Sequence, residues 1–417
     1  MSNTHNIVIL GASFAGIAVA HGLLKALPAL IKDTKKSYKV TLMSNSTHFW
    51  WNVGAPRAML KPYPNDNMDS FIPIEKGFKQ YPSELYEFVH AEIIGVETDK
   101  RSVLYTLKNE KEELASETHF LHFDTLVIAT GSTGPSPLYA LQGSHVPSLR
   151  AYEDIQARLP SAKSVMIVGG GSAGTETAGE VGYMHGKNSA SPKEITFLSG
   201  GERLLLGLRP SIGKRAQEIL EDQGVKVVHN LRLKDSKPLG NGSTEVTLSD
   251  GSTRTIDIFL VATGRFPASS YLPSSLLDDK NRVTVDPYLR VPSLESVYVC
   301  GDMASNSPGG VTYIMNAAPT VFGNIIAEQS GKGKGKEFKP ITTKETQFVP
   351  VGPQYGVGAA FGWWVPSMVI KMVKGKDYMF PKAMKTGTCN FLRHVALLIS
   401  PFKRATLTPK FLVMGTA

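Results

Sequence analysis

The sequence predicts an α/β protein in which one βαβ unit is built twice, followed by a small α+β domain. Three observations predict it. A glycine-bearing turn follows an apolar strand at residues 11–16 and again at 169–174. An apolar strand ending in Ala-Thr-Gly occurs at 123–131 and again at 256–264. At 417 residues, the chain exceeds what one hydrophobic core organises.

Ile7 to Leu10 form a continuous apolar run, as a strand covered on both faces requires. Gly11-Ala-Ser-Phe-Ala-Gly16 follows, then a helical stretch from Ile17 to about Leu30 and a strand from Lys39 to Met43. The second unit has the strand Val165 to Val168, the turn Gly169-Gly-Gly-Ser-Ala-Gly174, a helix to about His185 and the strand Glu194 to Leu198. The offset between the copies is about 130 residues or more, a domain-scale duplication rather than a solenoid period. The Gly-Lys run at 331–336 suggests a flexible connection, and the Gly-, Lys- and aromatic-rich segment beyond it a third domain.

Gly169, Gly171 and Gly174 complete a GxGxxG pattern between strand and helix. Its glycines permit a tight turn, backbone approach to a pyrophosphate and close helix–strand packing. The helix N-terminus then offers free N–H groups to phosphate. Both halves are therefore expected to be Rossmann-like dinucleotide-binding units. In the first turn, Ser13 holds the middle glycine position, where its Cβ takes clearance and its hydroxyl can bond a phosphate. A turn without ligand is the bland alternative there. The acid that usually binds ribose at the end of the second strand is missing twice: Ser44 and Asn45 stand in one half, Ser199 and Gly200 in the other. With Arg203 nearby, the second loss leans toward NADPH over NADH. Ser296 to Asp302 read as a strand ending in Gly301-Asp302, where a carboxylate can accept a strong hydrogen bond from a hydroxylated ligand. An Asp that merely ends a strand remains the alternative.

Composition limits the other classes. The net charge of +9 is scattered, without a recognition helix, zinc finger or aromatic RNA-binding signature, so no nucleic-acid partner is expected. The basic balance suits anionic cofactors or a membrane face. The two cysteines, Cys300 and Cys389, have no paired spacing, which excludes a disulfide framework and a CxxC centre. No metal site is expected. The start, Met-Ser-Asn-Thr-His, lacks a leader pattern, and Ser2 stands where myristoylation needs glycine. No apolar stretch was expected to reach bilayer-spanning length, Val395 to Ser400 being far too short. The expectation is a cytoplasmic protein, compatible with peripheral membrane contact, as a monomer or homodimer.

In order, these motifs resemble the pyridine-nucleotide-disulfide-reductase-like flavoproteins in their dithiol-free branch. That branch holds the type II NADH:quinone oxidoreductases and the apoptosis-inducing-factor-like and ferroptosis-suppressor-like proteins. The resemblance rests on Ala129-Thr-Gly-Ser-Thr-Gly-Pro135, Ala151-Tyr-Glu-Asp-Ile155, Val168 to Glu176, Val297 to Asp302 and Gly356-Val-Gly358, and covers about residues 5 to 388. It implies non-covalent FAD and NADH or NADPH as electron donor. The FAD-binding domain would take residues 1–150 and 264–330, the NAD(P)H-binding domain 151–263, and a C-terminal interface domain 340–417. FAD would be held by Gly11, Ser13, Gly16, Arg57, Ala129, Thr130, Gly131, Gly301 and Asp302. The NAD(P)H site would use Gly169, Gly171, Gly174, Gly264 and Glu176, the last nearest the nicotinamide and the candidate catalytic residue. A helix acid favoured by the dipole is the plain reading of Glu176. The family's lysine just past Ser-Thr-Gly-Pro is replaced by Tyr139, and its myristoylated glycine by Ser2.

No side-chain nucleophile is required for such hydride chemistry. His48, Trp50 and Trp51 are placed to line the flavin edge, with packing the commoner role for the histidine. Trp363 and Trp364 can cover the ring or face a membrane interface, with core packing the expected role of each. Three readings of the second half-reaction stay open: a quinone-like acceptor, a small organic substrate of a specialised-metabolite pathway, and a nucleotide-sensing signalling role with incidental turnover.

Overall fold

The computed structural model describes residues 4–61, 67–109, 111–333, 335–340 and 344–380. The last thirty residues, whose role the sequence left open, lie outside this range. The first sheet has seven strands in the order Val297–Val299, Thr125–Ile128, β1 (His5–Leu10), β2 (Tyr38–Ser44), Tyr86–Glu97, Ser102–Lys108 and Leu114–His122. The first five run parallel, and the last two turn back as an antiparallel meander. With strands paired on both sides of β1, Ile7 to Leu10 are fully buried, which is why they read as an unbroken apolar run.

The second sheet is parallel throughout, in the order Val225–Val228, Glu194–Leu198, Ser164–Val168 and Ile258–Val261. Helices α1 (Phe14–Thr34) and α4 (Ser172–His185) follow the two glycine turns. The short α2 (Ala55–Ala58) and α3 (Val146–Arg158) lie between them, and α5 (Pro210–Asp222) packs on the second sheet. The chain returns to the first unit by pairing Phe266–Pro267 with Ser132–Thr133, then adds Val297–Val299 and α6 (Val311–Ser330). Gly22 lets α1 and α6 touch: a Cβ there would stand 2.2 Å from the Phe322 ring.

The third unit is an antiparallel sheet of Gln347–Val351, Tyr355–Ala360 and Trp363–Trp364. Helix α7 (Ser367–Ile370) follows and runs into a π-helical turn at Lys371–Gly375. This sheet lies on α4, where Gly179 leaves no room for a Cβ against Val351 and Gly352.

Three expectations are corrected. Helix α1 is 21 residues long and apolar enough to cross a membrane by length and composition; it nonetheless packs as a core helix, with Leu23, Leu24, Leu27 and Leu30 buried. Pro28 inside it and the glycines before it hide that length in the sequence. The 331–336 run is no loose tether, because Asn324 donates to the Lys336 carbonyl and accepts from the Lys336 N–H. Trp363 and Trp364 are not core residues: they are 61% and 60% exposed, at the tip of the last hairpin.

Candidate functional site

The two glycine turns repeat the same strand-to-turn bonds. Gly11 N–H donates to Met43 O, and Gly169 N–H to Leu198 O, both at 2.8 Å. Ala129 N–H donates to Leu10 O and Ala262 N–H to Val168 O, again both at 2.8 Å. Gly11 and Gly169 have φ of +101° and +122°, and a Cβ on either would strike the carbonyl of Ala129 or Ala262. Gly16 and Gly174 bring each helix onto its own turn, with room for no Cβ against Gly11 O or Gly169 O. The middle positions, Ser13 and Gly171, are the extended N-cap residues of α1 and α4, and neither side chain caps its helix. The first-turn N–H groups of both helices are left for a ligand.

Above the first turn lies a cavity of about 920 Å³. Gly11, Ser13, Ala129, Thr130, Gly131, Gly301 and Asp302 all line it. Ser132 Oγ donates to Asp302 Oδ2 at 2.8 Å, which fixes the carboxylate at the cavity wall. Gly131 and Gly301 take left-handed φ of +70° and +87°, so the backbone turns there without a side chain in the way. Thr130 donates its hydroxyl to Ala268 O at 3.0 Å and is thereby turned toward the returning chain. At the far end Ser44, Asn45, Ser46 and Glu92 line the cavity, polar groups in place of the missing strand-end acid. His48 and Trp50 also line it, and the His48 ring lies tilted against His145 with centroids 4.0 Å apart. An elongated, phosphate-bearing ligand with a hydroxylated chain fits this turn, this cavity and this carboxylate.

A second cavity, of about 990 Å³, lies between the start of α4, the third unit and the first unit. Ser172, Ala173 and Glu176 of α4 line it, whereas Gly169, Gly171 and Gly174 frame the turn behind them and Gly264 supports it against Pro135. Trp51, Tyr139, Tyr313, Phe338, Phe348 and Met379 give it aromatic and apolar walls. Asn52, Ala140, Arg265, Gly310 and Val311 line both cavities, so the two share a wall.

Glu176 is 3% exposed and accepts a hydrogen bond from Lys374 Nζ at 2.5 Å. Burial pushes its carboxyl up to about 6, against the pull of Lys374 and with a further push from Glu180. One turn along α4, Glu180 receives both Arg57 Nε (2.9 Å) and Arg57 Nη2 (2.7 Å), a buried bidentate pair. Arg57 also donates to the carbonyls of Gly375 and Lys376 and lies over the Tyr378 ring. It lines neither cavity. The expected flavin contact is therefore replaced by a clamp joining the first unit, α4 and the third unit. Trp51 Nε1 adds a bond to Tyr378 O at 2.9 Å.

Arg203 is likewise corrected. Its guanidinium donates to the carbonyls of Leu204, Leu205, Leu206 and Leu208, so it closes its own loop instead of awaiting a phosphate. Tyr139, in the lysine's place, bonds Thr177 Oγ1 at 2.9 Å, and burial raises its phenol far above the usual range, leaving it neutral.

Lys374, Lys344 and Arg265 were missed from sequence, because their cavity positions depend on packing between units. The signal available was Glu176 and Glu180: two acids four residues apart on a helix otherwise free of charged residues except His185 at its end need buried partners.

The model of the pyridine nucleotide-disulphide oxidoreductase family matches residues 5–319. The chain belongs to that family. As its member it is an FAD-dependent NAD(P)H oxidoreductase that passes electrons to a small-molecule acceptor. It is 33% identical over 402 residues to oxidoreductase phnG of Penicillium herquei, covering 90% of this chain and 94% of that one. It is 28% identical over 393 residues to ferroptosis suppressor protein 1 of Xenopus tropicalis, covering 91% and 95%. The fold matches a sulfide:quinone oxidoreductase of Aquifex aeolicus with a TM-score of 0.68 at 14% identity, covering 99% of this chain and 96% of that one. The family's name refers to a disulphide, yet this member has only Cys300 and Cys389. Cys300 is fully buried, and burial pushes its thiol up to about 12. Among the described residues no His, Cys, Asp and Glu cluster could hold a metal.

Proposed function

We propose that electrons leave this oxidoreductase for a planar, quinone-like organic acceptor bound in the second cavity. The observation that carries the reading is the shared wall: the cavity above the first glycine turn touches the one beside α4 through Asn52, Ala140, Arg265, Gly310 and Val311. FAD bound in the first cavity supplies the two-electron relay between nicotinamide and acceptor. Gly11, Ser13, Gly16, Ala129, Thr130, Gly131 and Gly301 cradle it, and Asp302, steadied by Ser132, takes a ribityl hydroxyl. Gly169, Gly171, Gly174 and Gly264 shape the NAD(P)H site at the start of α4. Residues 1–150 and 264–330 then form the FAD-binding domain, 151–263 the NAD(P)H-binding domain and 340–417 the interface domain, of which 381–417 lie outside the described residues.

The walls suit such an acceptor. Trp51, Tyr139, Phe338 and Phe348 offer flat apolar surface, and the neutral Tyr139 and the paired Glu176–Lys374 leave little fixed charge. Glu176, whose carboxyl burial pushes up to about 6 beside Lys374, lines this cavity and is placed to exchange a proton with an acceptor that gains two electrons. Cys300 and Cys389 have no CxxC spacing that would carry the electrons instead.

A second reading is the oxidation or reduction of a pathway intermediate. Tyr139 in place of lysine and the higher identity to oxidoreductase phnG favour it. One experiment separates the readings. The purified yellow protein is mixed anaerobically with NADH or NADPH, and acceptors are then added. Bleaching reversed by menadione or a short-chain ubiquinone supports the first reading. Reversal only by a more elaborate organic substrate supports the second. Tight nucleotide binding without bleaching would leave a sensing role and sink both.

A further inference from the structure

Four of the large apolar side chains exposed on this protein fall within ten residues of the third unit. Trp363, Trp364, Met368 and Met372 are 61%, 60%, 68% and 64% exposed. They come from one small unit: Trp363–Trp364 pairs with the strand Tyr355–Ala360, and α7 packs directly on that same strand, with Ser367 Oγ accepting from Gly356 N–H at 2.9 Å. Met368 and Met372 are four residues apart, on the side of the helix opposite the buried Ile370. Tryptophan pairs and methionines in the open are what the interior of a folded protein normally hides.

The surface is also basic. Lys371 and Lys376 are exposed and make no ion pair among the described residues, whereas Lys374 turns inward to Glu176. Of the two acids between 344 and 380, Glu345 is held by Arg209, leaving Asp377. The sequence beyond Phe380 continues the trend: residues 381–417 contain Lys382, Lys385, Arg393, Lys403, Arg404 and Lys410 and no Asp or Glu. Much of the chain's net charge of +9 therefore lies in the stretch that leaves this one unit.

We propose that the Trp363–Trp364–Met368–Met372 face, flanked by Lys371 and Lys376, docks on an anionic lipid surface. Indole rings settle at the boundary between headgroups and acyl chains, thioether chains reach past it, and lysines pair with lipid phosphates and carboxylates. The same short helical segment that bears Met368 and Met372 carries Val373 and Lys374 into the second cavity, so docking would set one cavity wall against the bilayer. Docking does not depend on which acceptor is used and is measured without nucleotide or acceptor.

The test uses the full chain with vesicles of phosphatidylcholine alone and of phosphatidylcholine mixed with phosphatidylserine, read by co-sedimentation and tryptophan emission. Trp50 and Trp51 are buried, so a blue shift on docking reports Trp363 and Trp364. Binding is expected only to the anionic vesicles. It should weaken about fivefold for each of Lys371→Ala and Lys376→Ala, and tenfold or more for Trp363→Ser with Trp364→Ser. NAD(P)H oxidation with a soluble acceptor should stay unchanged in these variants, which shows that they fold. Four results would overturn the proposal: no binding, equal binding to neutral vesicles, wild-type binding by the tryptophan variant, or a wild-type dimer in solution that this variant dissociates.

Discussion

The first and second glycine turns share the bonds that tie strand to turn, yet they differ in their middle residue and in what their helices do next. Helix α1 goes on into the core, where it packs against α6. Helix α4 carries two buried acids and serves as the platform for the third unit. One turn is thus a cradle alone, whereas the other is a cradle coupled to the architecture around it. The lesson is that a duplicated local motif fixes the ligand geometry, and the residues beyond it decide what each copy is for.

The comparison breaks most sharply at the helix glycines. Gly16→Ala and Gly174→Ala place a Cβ 1.8 Å and 1.9 Å from a carbonyl oxygen. Each should cost more than the ~1–3 kcal/mol of ordinary overpacking, read as a lower denaturation midpoint and loss of bound FAD or NAD(P)H affinity respectively. Equal, negligible effects would refute the shared geometry. Next comes Arg57→Ala, which strands Glu180 uncompensated in the interior. A loss of about 3–5 kcal/mol in urea unfolding is expected, with no counterpart on the α1 side.

A smaller effect sharpens the role of α4. Acceptor reduction should fall as pH rises through about 6 in the wild type, and Glu176→Gln should flatten that limb. Stability carries the same signature. The raised carboxyl means that the protonated group's contribution is fully present below its ordinary value of 4.5 and lost as pH rises through about 6. Melting temperature against pH, wild type beside Glu176→Gln, checks the sign. Smallest are the middle positions. Ser13→Gly should weaken FAD retention by roughly tenfold, the worth of one charge-assisted hydrogen bond. Gly171→Ser meets no protein atom within 4 Å and should leave the denaturation midpoint unchanged, while it raises the KM for NAD(P)H because its side chain takes the clearance a pyrophosphate needs.

The parts legible in the sequence were those written locally. Gly169, Gly171 and Gly174 announce a turn because the turn's needs are met within six residues, and Asp302 because its strand ends beside it. Arg57 was legible as basic and misassigned, since its partner Glu180 is 123 residues away and belongs to the other unit. Arg203 looked free for phosphate, yet the carbonyls of its own loop take its donors. Periodicity cannot foresee either outcome. Trp363 and Trp364 were placed in the core by residue type; nothing in a two-residue strand tells which side faces out.

In the proposed reading helix α4 answers to a coenzyme at its first turn, and it answers to two cations along its length and to a neighbouring strand at Gly179. A segment with so many obligations has little latitude to drift. A change of preferred acceptor would therefore enter through the opposite wall, at Tyr139, Phe348, Val373 or Met379, which can be rebuilt without disturbing the hydride donor's seat.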